Sequence, residues 1–229
     1  MTNDERVAHL HALRALPPAA WPTRDRILYE AARLIAAKGY HGASTRDITE
    51  AVGIRQPSMF NHFASKQAIL AELLALDLSI PAARADELSR AEGRPVARLY
   101  QYMLWDFEWY GEMPLDLRGM QEELLDEPGL ETFRADLETW RKAINRIVRQ
   151  GVASGEFEKD AVGMFTTVLT ALSWEIVRTA QLTRDPRTAV KQRKGAALFV
   201  LRALVTDPSD IAAVVAAADD ATPRTTKAH

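Results

Sequence analysis

The chain has 229 residues, 26% of them charged, a net charge of −2 and no cysteine. It is long enough to bury a substantial core, and neither a disulfide framework nor a thiolate metal site is open to it. Nothing resembles a secretory signal or an apolar run of membrane length, so a cytoplasmic protein without a membrane partner is expected.

Residues 1–20 form an N-terminal extension. Val7, Leu10, Leu13 and Leu16 make an amphipathic piece closed by Pro17-Pro18, which reads as a loosely ordered segment, with a short extra helix as the alternative. From Thr23 to Lys38 an amphipathic helix is expected, with Ile27, Ala31, Leu34 and Ile35 on one side and Gly39-Tyr40-His41-Gly42 closing it.

Residues 44–66 read as two short helices joined by a glycine turn, the arrangement that lets a helix lie in the major groove of DNA. Ser44 and Thr45 offer N-cap oxygens, Ile48 and Val52 repeat at helical spacing, Gly53 stops the helix, and Ile54 can plug the space between the two helices. Gln56-Pro57-Ser58 opens the second helix, where proline suits the first turn because its missing N–H has no helical partner to lose. Met59 and Phe63, four apart, are expected to face inward while Ser58, Phe60, Asn61 and His62 stay outside. Charge agrees: residues 21–70 hold seven Lys or Arg against four Asp or Glu, whereas residues 71–229 are acidic by five. A modest basic excess where the motif lies is what phosphate contact requires, although chance variation in a mixed surface would also produce it.

From about Thr23 to about Leu74 the chain resembles the DNA-binding region of the tetracycline-repressor (TetR) family of bacterial regulators. The likeness includes the run Phe60-Asn61-His62-Phe63-Ala64-Ser65-Lys66 and an apolar helix after it with Ile69, Leu70, Leu73 and Leu74. The resemblance implies a base contact from Arg46, a phosphate contact from Thr45, and positions against the DNA backbone for His62 and Lys66. Arg55, Gln56, Pro57, Ser58 and Asn61 complete the candidate DNA-binding set, Arg for guanine or phosphate, Gln and Asn for adenine. Solvated surface roles stay open for both arginines, and a local hydrogen bond for His62. One departure stands out: the family usually has tyrosine where this chain has Phe60, so one phosphate bond is lost and the phenyl ring is free to touch sugar or a thymine methyl.

Beyond Leu74 the pattern stays helical, giving an all-α protein. The expected units are a three-helix DNA-binding unit at 21–66, a larger body at 67–220 and a disordered tail at 221–229. The helix that starts near Ser65 is expected to run to about Ser79, and breaks are expected at Pro81, Gly93 to Pro95, Gly111 to Pro114, Pro128-Gly129, Gly151 to Gly155, Asp185-Pro186 and Asp207-Pro208. Residues 96–110 carry aromatics on nearly every helical face, which requires enclosure on several sides. Two long helices, about 160–181 and 186–206, are rich in small residues. By the resemblance they form a homodimer interface, and a two-fold partner suits an inverted-repeat operator, although an apolar face of this kind serves equally as internal core.

The resembled regulators bind a small-molecule effector in the body. Trp105, Trp109, Met120, Trp140, Phe165 and Trp174 are candidates to line such a pocket, although residues of this kind also serve as plain packing. No cofactor, metal site or catalytic residue is expected. There is no G-x-S-x-G elbow, phosphate-cradling glycine loop or H-E-x-x-H pair, and the histidines, at 9, 11, 41, 62 and 229, leave residues 63–228 without one. The expectation is a repressor that effector binding releases. A helical ligand-sequestering or partner-binding protein is the alternative.

Overall fold

The computed structural model describes the backbone of residues 3–115, 127–180 and 185–221. Met120, the acidic positions Glu122, Glu123 and Asp126, the side chain of Trp174 and tail residues 222–229 lie outside the described residues. Among the described residues the chain is helical and carries no strand, only a single bridge between Phe157 and Val205. They gather into two compact units, residues up to Ala82 together with Met113–Glu138, and Ala83–Glu112 together with the chain from Thr139 onward.

The first unit begins with α1 (Asn3–Arg14), α2 (Thr23–Gly42), α3 (Thr45–Val52), α4 (Gln56–Phe60) and α5 (Lys66–Leu74). The extension is not loose. Leu10 and Leu13 of α1 are buried, His9 pairs with Asp25 of α2 at 2.9 Å, and Trp21 donates its indole N–H to the Leu16 carbonyl. Half of the apolar positions that look surplus in the sequence are therefore core. Helix α2 buries Ile27, Ala31, Leu34 and Ile35 on one face, and Gly39 kinks it at a φ of 74°, a conformation that residues with a Cβ avoid.

Pro81 does not break the chain. A π-helical turn, Ala75–Ser79, leads straight into α6 (Ile80–Arg90), which continues through the proline. The ring removes an N–H and crowds the preceding turn, and a locally widened turn accommodates both.

Helix α7 (Pro95–Glu112) organises the second unit, packing against α9 (Ala161–Ala180), α10 (Pro186–Leu204) and α11 (Ile211–Ala221). Tyr100, Tyr102, Met103 and Phe107 are fully buried, as aromatics on several faces require. Helix α8 (Glu131–Ala153) carries Gly151 against the Phe157 ring, so close that a Cβ there would run into a ring carbon. Arg98 is buried, its guanidinium donating to the carbonyls of Leu88 and Ser89 at the end of α6 and to Gln150 on α8.

Candidate nucleic-acid interface

Caps and long polar side chains position the reading segment. Ser44 is the N-cap of α3. Its Oγ accepts from the Asp47 N–H at 3.0 Å, while the Asp47 carboxylate accepts from the Ser44 N–H at 2.9 Å and the Ser44 hydroxyl at 2.6 Å. The reciprocal box satisfies donors that a first helical turn leaves open. It also holds the Asp47 carboxyl down to about 2, through the Ser44 bonds first and Lys38 second. Gly53 ends α3 in the left-handed region, φ 74° and ψ 36°, and its N–H reaches the Thr49 and Glu50 carbonyls.

Helix α4 has only five residues, with Arg55 as N-cap and Pro57 in its first turn. Met59 and Phe63 are 0% and 4% exposed and pin it down. Gln56, Pro57, Phe60, Asn61 and His62 are exposed, and Ser58 is half-buried. Gln56 and Phe60, and Pro57 and Asn61, are each four residues apart, so they share one outward side.

Three cations reach around this segment. Arg26 of α2 donates to the Val52 carbonyl that ends α3. Arg24 lies 4.6 Å over the Phe63 ring and pairs with Glu72 of α5 at 3.0 Å. Lys66 donates to the carbonyls of Tyr40 at 2.8 Å and Ala43 at 3.0 Å, with its ammonium 4.1 Å from the Tyr40 ring centroid. Two of the three ammonium donors thus close the end of α2. Tyr40 is itself raised above its ordinary value by burial and then by Glu127, which pairs with His41 at 2.8 Å.

Of the other candidates, Thr45 is half-buried as the first residue of α3, and Arg46 and Arg55 are exposed. Arg46 holds Glu50 at 2.8 Å, an exposed pair of the weak kind that a phosphate or base can displace. No sequence pattern marks Arg26, or the carbonyls of Tyr40 and Ala43, as parts of the scaffold. The Ser44-x-x-Asp47 spacing does mark the capping box.

The effector candidates that are described belong to the second unit. Trp105 is half-buried, and Trp109, Trp140 and Phe165 are buried. Trp140 donates its indole N–H to the Tyr102 hydroxyl at 2.6 Å, and that hydroxyl donates to Asp106 at 3.0 Å. Burial first, then Asp106, pushes the Tyr102 phenol well above its ordinary value. Among the described residues no group of His, Asp or Glu could hold a metal ion, and no helix is long and apolar enough to cross a membrane.

Comparison with known proteins agrees with this geometry. Residues 27–73 match the sequence family described as bacterial regulatory proteins, tetR family. The transcriptional repressor KstR2 of Mycolicibacterium smegmatis is 27% identical over 159 residues, which is 68% of this chain and 78% of that protein. The regulator YdgC of Bacillus subtilis is 40% identical over 52 residues, 23% of this chain and 27% of its own. Among solved structures, AmtR of Mycobacterium smegmatis superposes with a TM-score of 0.69 at 25% identity, over 89% of this chain and 97% of that one. PfmR from Thermus thermophilus, a TetR family regulator, gives 0.64 at 27% identity, over 82% of this chain and 100% of its own.

Proposed function

Since the chain is a DNA-binding transcriptional regulator of the TetR family, and not an enzyme, we propose that it acts as a cytoplasmic homodimeric repressor of an inverted-repeat operator and is released by an apolar or aromatic small molecule. The observation that carries the reading is the polar outer side of α4, presented by a helix that Met59 and Phe63 anchor from behind. Phosphate contacts from Thr45, His62 and Lys66 would hold register. Arg46, Arg55, Gln56, Pro57, Ser58, Phe60 and Asn61 would select bases or flank them.

Residues 21–66 carry recognition in this reading, and residues 67–220 carry effector binding and self-association. The exposed side chains of Met164 on α9 and of Val190 and Phe199 on α10, 63%, 50% and 70% exposed, favour pairing through these two helices, because apolar groups of that size are normally covered. Repression is favoured over activation because KstR2 is a repressor.

Selection of bound duplexes from a random DNA pool, with and without candidate ligands, tests the proposal. Enrichment of an inverted repeat only in the ligand-free arm is the expected result. No enrichment in any arm would defeat it.

A further inference from the structure

Trp105 and Trp109 lie four residues apart on α7 and stack, with ring centroids 5.7 Å apart and planes 9° apart. Trp109 is 6% exposed, and its enclosed indole N–H finds no acceptor among the described residues. Trp140 differs, since its N–H is held by Tyr102. A buried indole N–H ordinarily has a partner, because leaving one unpaired forfeits its hydration with nothing in return. The two indoles therefore divide in role: Trp140 is closed into the core, and Trp109 keeps a donor in reserve beside a half-buried aromatic neighbour.

We propose that Trp109 is the hydrogen-bond donor of the effector site, and that the effector is a flat apolar molecule bearing a neutral carbonyl-type oxygen. This rests on the effector reading above. A carbonyl oxygen offers its lone pairs in the plane of a conjugated ring system, so one molecule can meet the indole edge and still pack its rings against the aromatic wall. Burial decides against a carboxylate. Trp109 is 6% exposed, and a charged acid group would forfeit its hydration there for one neutral N–H donor in return.

The test uses three matched probes on the full-length protein: 2-acetylnaphthalene, 2-ethylnaphthalene and 2-naphthoate, titrated by calorimetry. The ketone should bind about ten-fold more tightly than the hydrocarbon of the same size, and more tightly than the acid. Trp109→Phe should bind ketone and hydrocarbon alike, whereas Trp105→Phe should keep the preference. In ¹⁵N-labelled wild type, the indole N–H resonance missing from the Trp109→Phe spectrum should move downfield with the ketone alone. Where the variant fails to fold, the wild-type ratio and the downfield move of one wild-type indole resonance with the ketone alone decide the matter. Equal binding of ketone and hydrocarbon, or a preference that survives Trp109→Phe, overturns the proposal, leaves the effector reading standing and assigns the N–H to water. Absence of binding by all three probes overturns both.

Discussion

Asp47 lies below the ordinary carboxylate value chiefly because Ser44 holds it, with Lys38 adding to the effect. The stabilisation it brings is therefore complete above pH 4 or so, the usual aspartate value, and is lost as pH falls toward 2. Ser44→Ala removes the hydroxyl cap but keeps the backbone N–H and Lys38, so it should shrink that acid limb, as well as lowering stability by about 1 kcal/mol at neutral pH. Melting curves taken from pH 2 to 6 for wild type and variant read both effects, and identical acid limbs would contradict the assignment. In the proposed reading Lys66 has two duties that separate experimentally. Lys66→Met leaves the Tyr40 and Ala43 carbonyls without their donor, which should cost about 1–3 kcal/mol in urea unfolding. It should also weaken binding to every duplex and reduce the slope of affinity against salt. Gln56→Ala and Asn61→Ala should instead change which sequences are enriched and leave the salt slope near wild type. A salt slope that moves with Asn61, or an enriched sequence that does not, would place base recognition elsewhere.

Among the helices, the recognition motif was legible because its signals are local. Ser44, Gly53 and Pro57 act on their own turns, and the Met59/Phe63 pair fixes which side is inward within a single turn. The outward positions Phe60, Asn61 and His62 follow by exclusion, whereas Ser58, expected outside, is half-buried. Docking of α1 was not legible, since four spaced apolar residues cannot reveal a partner surface sixteen residues on, where Asp25 waits for His9. Pro81 misled for the opposite reason: proline argues for a break, and only the π-helical turn before it shows how the helix absorbs the ring. The cross-links by Arg26 and Lys66 span 26 residues each, a distance over which periodicity carries no information. Gly151 is a case where composition suggests a loop and packing supplies the cause. Gly151→Ala would press a methyl into the Phe157 ring, and a loss of roughly 1–3 kcal/mol in thermal unfolding is expected.

For the molecule as a whole, the proposed dimer makes a demand that either half alone does not. Met164→Glu combined with Phe199→Glu should give a monomer by light scattering with an unchanged helical spectrum, and operator affinity should fall by more than ten-fold because two half-sites are no longer read together. A dimer that persists would move the interface off α9 and α10. The brevity of α4 has its own consequence. A helix of five residues lies well under the length that sustains itself in water, so its shape is borrowed from Met59, Phe63 and the cations gripping the turns around it. A synthetic peptide copying residues 44–66 should be unstructured and indifferent to operator sequence, and transplanting this specificity onto another scaffold would mean carrying over everything from Thr23 to Leu74.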